Sequence, residues 1–358
     1  MKRVTIQTIA NEAHVSVGTV DRAFNNRGRI NENTRRQILE IADRLGYRPN
    51  KIASALGRQR KLRIAAITPR NPYFFYRHLR DGMDDAVRET LDYGVVVDQI
   101  TCESLRPEDQ LPVLQNLDRD SYDGIVLNAG GDELVPIIDE FVAAGIPVVT
   151  FNSDASQSKR LFFVGENAIQ SGRLAGDMMG RLLGGHGKIA IMTSFFHPGA
   201  AKNRRNGFLD ALARYPDISV LDEVEYYDDP QRAYQSMIDL MRHYPDLDGV
   251  FSNSATGSFA SGKYVSEHYT PEDPHKPVLI GYDVTEPVEA YLKNGIFDMA
   301  IDQEPRRQSY YAIMLMYRHL TEHWIPDQKE FDIRVHMVMR YNAAEHSMAH
   351  IVKDELVI

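Results

Sequence analysis

The apolar positions near the start of the chain recur every three or four residues, which is the spacing of helices that bury one face. In the first run they are Ile6, Ile9, Ala10 and Ala13. Ser16 interrupts this pattern as a good N-cap, and a second short helix is predicted over residues 17–24. Val20 and Ala23 of that helix would face the first one. The outer side then carries Val17, Gly18, Asp21 and Arg22.

A further apolar stripe predicts a third helix, capped by either Asn31 or Asn33 and stopped by Gly46. Two short helices joined by a tight turn have the layout of a helix-turn-helix, whose second helix enters the DNA major groove by its N-terminal residues. The segment 51–56 that follows is too short to form a stable helix alone in water. We therefore expect this segment to be helical only when something holds it.

From residue 62 onward, short continuous apolar runs alternate with amphipathic stretches. Strands are predicted over 62–68, 95–99, 124–127, 147–151, 161–164, 188–193, 219–226, 249–252, 278–281 and 299–302. Helices are predicted over 73–91, 107–117, 133–144, 200–213, 230–242, 258–268, 287–294 and 305–323. Continuous apolar strands separated by helices are typical of parallel sheets buried on both faces. The pattern restarts near residue 188, so the sequence predicts two doubly wound α/β subdomains.

Charge is distributed very unevenly along the chain. Residues 1–61 contain thirteen basic and five acidic residues, a net charge of +8, whereas the whole chain of 358 residues carries −9. The remainder therefore carries −17. A basic arm on an acidic body is the electrostatic pattern of a nucleic-acid-binding protein, because the phosphates attract the arm and repel the body.

Composition and length place the chain among ordinary soluble proteins of two or three domains. Cys102 stands alone, so no internal disulfide can form. The polar, charged N-terminus has no apolar core of a signal peptide, and Asp139 and Glu140 interrupt the longest apolar run. We therefore expect a cytoplasmic protein without a membrane span.

The N-terminal stretch resembles the DNA-binding headpiece of the LacI family of bacterial transcription regulators. The matching residues lie at 5–10, 15–22, 29–30, 34–35, 45–50 and 53–56, with Asp21 where the family usually has Ser. The resemblance implies a hinge helix over 51–56 that orders on operator DNA, with Leu56 wedged into the minor groove. The DNA-binding residues predicted in this way are Thr5, Ser16, Val17, Gly18, Thr19, Arg22, Asn25, Arg29, Asn50, Ala53 and Leu56.

Ligands of open parallel sheets lie beyond the carboxyl ends of the strands, and those positions here carry polar and aromatic side chains that suit a sugar-like polyol. Residues 62–341 resemble the type I periplasmic sugar-binding fold in its ribose-binding-like branch. Asn71, Tyr73, Phe74, Arg204, Asp283 and Gln303 match ligand positions of that branch. The departures are Asn152-Ser153 in place of Asp-Arg and Ser254-Ala255 in place of Asn-Asp. We expect Asn152 and Ser254 to contact the ligand as well, and a ligand other than ribose.

A zinc-like H-x-x-E-H spacing occurs at His319, Glu322 and His323, but no third ligand is evident. We interpret these residues as the solvated end of the last helix. No spacing in the chain indicates a nucleophile with its base. The sequence therefore predicts no metal, no cofactor and no enzyme activity.

Together these features predict a homodimeric, ligand-responsive transcription regulator, interpreted as a repressor that leaves a near-palindromic operator on binding a sugar or sugar derivative. Its expected parts are a helix-turn-helix headpiece (1–48), a hinge helix and linker (49–61) and a ligand-sensing and dimerisation domain (62–358). A corepressor-dependent regulator of the same fold remains the alternative. A solute-binding protein of a sugar transporter is disfavoured, because it would need a signal peptide and no headpiece.

Overall fold

The computed structural model describes residues 6–25, 30–45, 61–70, 74–196 and 199–346. Some of the predicted positions lie outside these ranges. They are the hinge segment 51–56 and the site residues Thr5, Arg29, Asn50, Ala53, Leu56, Asn71 and Tyr73.

Three helices form the described part of the headpiece: α1 (Ile6–Glu12), α2 (Val17–Asn25) and α3 (Glu32–Arg44). Their shared core contains Ile9, Val20, Ala23 and Ile38, which are fully buried or nearly so. Ser16 caps α2 as predicted, because its Oγ accepts a hydrogen bond from the Thr19 amide at 3.1 Å. Of the two possible caps for α3, the structure favours Asn31, whose Oδ1 accepts the Asn33 amide at 2.9 Å.

The first α/β subdomain is built on a sheet with the strand order β11-β5-β4-β3-β1-β2, in which every pair is parallel. Its strands are β1 (Leu62–Pro69), β2 (Val95–Cys102), β3 (Gly124–Leu127), β4 (Val148–Phe151), β5 (Phe162–Gly165) and β11 (Glu330–Asp332). The helices along this part of the chain are α4 (Phe74–Thr90), α5 (Pro107–Gln115) and α6 (Val135–Ala143). The central strands β3, β4 and β5 are buried along their whole length, as the continuous apolar runs predict.

The second subdomain repeats the pattern with the strand order β12-β10-β9-β8-β6-β7. Its strands are β6 (His186–Thr193), β7 (Asp217–Glu225), β8 (Gly249–Ser252), β9 (Val278–Tyr282), β10 (Met299–Asp302) and β12 (His336–Val338). The helices of this half are α7 (Ala168–Leu182), α8 (Ala200–Leu212), α9 (Pro230–His243), α10 (Ala255–His268) and α11 (Glu286–Asn294). Only β12 runs antiparallel to its neighbour among the described strands.

The described chain crosses between the subdomains three times. After β5 it enters α7, whose Ala175 and Met179 belong to a core of the second subdomain. After β10 it enters α12 (Pro305–Glu322), which returns to pack on the first sheet through residues such as Ile313 and Met316. The third crossing joins β11 to β12. The carboxyl ends of both sheets therefore meet at these connections.

The fold confirms the two predicted α/β subdomains, and β3, β8 and β10 have the predicted bounds. In the described chain the prediction missed one α-helix, α7, and two strands, β11 and β12. In α7, two glycines are needed because the helix packs closely against α8. A Cβ at Gly172 would lie 2.1 Å from the Arg204 carbonyl oxygen, and a Cβ at Gly176 would lie 2.3 Å from the Phe208 carbonyl oxygen. These glycines weaken the helical signal in the sequence, whereas packing against α8 stabilises the helix.

Candidate ligand-binding and DNA-binding sites

A cavity of about 260 Å³ lies between the carboxyl ends of the two sheets. Phe75 and Asn152 line it from the first subdomain, and Arg204 and Asp283 line it from the second. Gln303, from the connection between β10 and α12, also faces it. The cavity is large enough for a ligand of monosaccharide size, and such clefts at the ends of parallel strands are where ligands of this fold class bind.

Arg204 is the buried cation of this cavity and is only 5% exposed. It lies in the first turns of α8, and its Nε donates to the Glu166 carboxylate in the connection between β5 and α7. Its other two nitrogens donate to the Asn253 carbonyl at 2.9 Å and to Gln303 Oε1 at 2.8 Å. The guanidinium also lies over the Tyr282 ring, 4.1 Å from its centroid. A salt bridge and these hydrogen bonds offset the cost of burying the charge.

Gln303 connects Arg204 to the remaining polar side chains. Its Oε1 also accepts a hydrogen bond from Asn152 Nδ2, and its Nε2 donates to Asp283 Oδ1, both at 3.0 Å. Asn152 Nδ2 reaches Gln308 Oε1 on α12 as well, at 3.0 Å. The result is one network that joins both subdomains and two of the three connections.

Two carboxyl groups face the cavity in environments that disfavour their charge. Burial raises the pKa of Asp283 to about 7, and Arg204 and the hydrogen bond from Gln303 oppose this shift. Burial likewise raises the pKa of Asp228 to about 6, with hydroxyl hydrogen bonds from neighbouring residues acting in the opposite direction. Because neither carboxyl is ion-paired to a basic side chain among the described residues, a ligand that donates hydrogen bonds would stabilise the ionised forms.

Several cavity residues have a left-handed backbone, which non-glycine residues adopt at a cost of about 1–3 kcal/mol. The φ angles are 60° at Asn152, 55° at Asp228 and 69° at Asp283. Each follows the end of a strand, β4, β7 or β9. The strained turns direct these polar residues to the rim where the two subdomains meet.

Four aromatic side chains among the described residues contribute to the apolar part of the lining, together with leucine, alanine and proline residues. Phe75 and Tyr76 come from α4, Phe195 follows β6, and Phe259 lies on α10. Aromatic faces of this kind cover the C–H surface of a sugar ring or attract a cation.

The structure brings together the described residues predicted for this site: Asn152, Arg204, Ser254, Asp283 and Gln303 all line the cavity. Phe74 is the first residue of α4, next to the lining residue Phe75.

The sequence prediction missed Asp228, Glu166 and Tyr76. The first two follow β7 and β5, so the rule for strand ends would have found them. Ser254 Oγ lies 2.7 Å from the Tyr226 hydroxyl.

The second candidate site is the outer face of α2. Ser16, Gly18 and Arg22 are exposed, whereas Val17 and Thr19 are half-buried. Arg22 Nε donates to the Gly18 carbonyl at 3.0 Å, and one of its terminal nitrogens donates to Thr19 Oγ1 at 3.2 Å. Asn25 is the last residue of α2. Small and hydrogen-bonding residues at the start of an exposed helix suit entry into the major groove.

No cluster of His, Cys, Asp and Glu side chains in the described ranges is arranged to hold a metal ion. In the H-x-x-E-H segment, His319 Nδ1 donates to the Trp324 carbonyl at 2.7 Å.

Cys102 is buried, and burial raises its pKa to about 11, so its thiol is unreactive near neutral pH. The helices that can be assessed are all too short or too polar to cross a bilayer.

Two family profiles match the chain at successive positions. The profile of bacterial regulatory proteins of the lacI family matches residues 5–50, and that of a periplasmic binding protein domain matches residues 64–323. The class defined by the fold and the profiles is a DNA-binding regulator with a periplasmic-binding-protein sensor. The chain belongs to the LacI family of bacterial regulatory proteins.

Several regulators are similar to this protein over much of its length. Catabolite control protein A of Streptococcus mutans is 27% identical over 273 residues, which are 74% of this chain and 79% of that protein. The probable HTH-type transcriptional repressor ExuR of Bacillus subtilis is 30% identical over 216 residues, 59% of this chain and 61% of that one.

Solved structures share the fold of the sensor. A solute-binding protein of an ABC transporter from Burkholderia graminis, in complex with D-arabinose, gives a TM-score of 0.74 at 23% identity and covers 81% of this chain and 99% of that one. GanP, a glucose-galactose binding protein from Geobacillus stearothermophilus, gives a TM-score of 0.70 at 22% identity and covers 79% of this chain and 98% of that one.

Proposed function

We propose that this protein is a transcription repressor that binds a near-palindromic operator as a homodimer and leaves it when a sugar or sugar derivative enters the sensor. The observation that carries the proposal is the combination of an exposed α2 face on a helix-turn-helix with a cavity between two subdomains of a sugar-binding-protein fold. The relatives named as a repressor and as a control protein support the same function.

The operator contact is proposed to use the basic headpiece, 1–48, and the hinge and linker, 49–61. Val17, Gly18 and Arg22 would face base edges, and Thr19 with the flanking basic residues would mostly contact phosphate. One headpiece reads one half-site, so two copies are needed for a palindrome. Because its target is bacterial DNA, the protein would act in the cytoplasm, and a regulator of this kind needs no enzyme activity.

The response to ligand is proposed to arise from the cavity network. A ligand can shift the sensor between two arrangements only if it binds them with different affinities. Here Arg204, Gln303 and Asn152 connect the two subdomains and their connections, so a ligand that contacts these groups would change how the subdomains are held together. The change would move the faces that carry the paired headpieces and separate the hinge segments.

The proposal can be tested with the purified full-length protein in two stages. Repeated selection from random DNA identifies a binding sequence, and fluorescence anisotropy at fixed salt measures specific and random binding. A thermal-shift screen of pentoses, hexoses, polyols and their phosphates then identifies ligands, which are added to the DNA complex.

We expect a near-palindromic site that binds at least 10³-fold more tightly than random DNA, and a sugar that both stabilises the sensor and releases DNA. Equal affinity for selected and random DNA would contradict the regulator function. A ligand that tightens operator binding would instead indicate a corepressor-dependent regulator.

A further inference from the structure

We infer that the cavity takes a ligand carrying a protonated amine, such as an amino sugar, and that Asp228 is the carboxylate that receives this amine. The inference rests on the proposed function and deepens it, because it specifies the charge of the effector. Four observations carry it. They are the hydrogen bonds of Asp228, the ion pairs that both lining arginines already form, the negative charge of the carboxyl groups without such a pair, and the aromatic lining.

Asp228 follows β7 and reaches the cavity from the second subdomain. Its carboxylate accepts hydrogen bonds from the Tyr76 hydroxyl and from Ser254 Oγ, both at the long distance of 3.4 Å. Within the described ranges, no basic side chain forms an ion pair with it. A hydrogen bond from the Thr256 side chain also acts on this carboxylate. A half-buried carboxylate whose donors are all hydroxyl groups retains capacity for a charged donor.

The basic side chains among the described lining residues are Arg204 and Arg106, and both are already paired. Arg204 donates to Glu166, whose side chain is completely buried, and to two further acceptors. Arg106 pairs with Glu108 and Asp109, and its side chain is half exposed. Neither arginine therefore presents an uncompensated positive charge to an incoming anion.

Among the described lining residues, the carboxyl groups of Asp228 and Asp283 are consequently the charged groups that lack an ion-pair partner. A phosphate or carboxylate group on the ligand would be placed near both of them, and like charges disfavour binding. A protonated amine would be attracted to both. The raised pKa values of the two groups have the same main cause, because burial disfavours their ionised forms and the charge of Arg204 offsets this effect only in part.

The aromatic lining suits the same ligand. Tyr76 both donates to Asp228 and, with Phe75, Phe195 and Phe259, contributes aromatic surface to the cavity. Ring faces attract ammonium groups and also cover the C–H face of a sugar. A ligand with an amine on a sugar-like ring would use the carboxylate and the rings together.

The test compares matched ligands that differ only in charge. Three hexoses are used: glucose, galactose and mannose. For each of them, isothermal titration calorimetry at pH 7.0 measures the affinity of the full-length protein for the neutral sugar, the 2-amino sugar, the uronate and the 6-phosphate. We expect one ring series to bind, with the amino sugar at least about tenfold tighter than the neutral sugar and with no detectable binding of the uronate or phosphate.

The variant Asp228→Asn should bring the amino and neutral sugars to similar affinities, because the amide keeps the size of the side chain and removes its charge. Asp239→Asn is the matched control, since it removes a charge from the exposed side of α9, away from the cavity lining. The melting temperature and operator affinity of both variants establish that they are folded.

An anionic member that binds as tightly as the amine would overturn the inference, and so would an unchanged preference for the amine in Asp228→Asn. Both results leave a sugar-responsive regulator intact. If no member of the panel binds while the thermal-shift screen identifies a neutral sugar outside it, the inference fails and the sugar-responsive function stands. If neither experiment identifies a sugar, both fail.

Discussion

Arg204 on α8 donates a hydrogen bond of 2.8 Å to Gln303, which lies where the chain leaves the second sheet for the first. The same guanidinium reaches Glu166 at another of the connections. One side chain of the second subdomain thus contacts two of the segments through which the subdomains would move relative to each other. This arrangement makes Arg204 a candidate for coupling ligand binding to the geometry of the sensor.

We therefore expect Arg204→Lys to abolish the ligand response while leaving operator affinity unchanged in the absence of ligand. Lysine keeps a positive charge beside Glu166, but its ammonium cannot hold the Gln303 and Asn253 contacts in the same geometry. Anisotropy of the operator complex, titrated with the identified ligand, measures both properties. The control is Arg173→Lys in an exposed pair with Asp210. Release of DNA at the wild-type ligand concentration by Arg204→Lys would remove this residue from the coupling.

Full removal of the side chain should behave differently. Arg204→Ala leaves the Glu166 carboxylate buried without its cation, and breaking a buried pair in this way costs on the order of 3–5 kcal/mol. We expect a clearly lower melting temperature for the alanine variant than for the lysine variant. Similar melting temperatures in thermal unfolding would show that Glu166 takes up a proton or another partner at little cost.

The stability of the sensor should decrease as the pH rises. The carboxyl of Asp283 has a pKa of about 7 in the folded protein against an ordinary value of 3.8, so the folded state binds the proton more tightly than the unfolded chain. Its stabilising contribution is complete below about pH 4 and is lost as the pH rises through 7. We expect a melting temperature lower by on the order of a few degrees at pH 8 than at pH 5, and a smaller difference in Asp283→Asn. Equal slopes in the variant and in Asp239→Asn would contradict this assignment.

Arg22 should contribute to sequence preference rather than to general attraction. It is exposed on α2 and is positioned by Gly18 and Thr19. Arg22→Ala should weaken binding to the selected operator by about 1–3 kcal/mol and binding to random DNA much less. Arg36→Ala, which removes an exposed charge from α3, is the control. If both DNAs lose the same affinity in Arg22→Ala, this arginine only contacts phosphate.

Leu56 lies outside the described residues, and its predicted wedge function can be tested directly. Leu56→Ala should reduce operator affinity and the DNA bend angle together, because unstacking a base step requires the apolar side chain. Energy transfer across a labelled operator measures the bend, and Leu39→Ala, at a partly exposed position on α3, is the control. Normal bending combined with a lowered melting temperature would indicate instead a packing function at the junction with the sensor.

The sequence predicted most of the fold because long apolar strands and amphipathic helices carry strong periodic signals. It missed β11 and β12, which are only three residues each and too short to show a period, since their positions depend on β5 and β10 rather than on their own composition. At the site, strand ends led to Asp283 and Gln303. The contacts of Arg204 could not be predicted, because Glu166 is 38 residues away in the chain and Gln303 is 99.

The triple crossing of the chain has a consequence for biosynthesis. The first sheet cannot acquire its covering helix α12 and its edge strand β11 until the ribosome has translated almost the whole second subdomain. Neither half of the sensor is thus a continuous stretch that could fold to completion during translation, while the headpiece emerges first. A nascent or prematurely terminated chain would therefore present the DNA-binding helices before its sensor had folded. Such a chain could bind DNA before a ligand could regulate that binding.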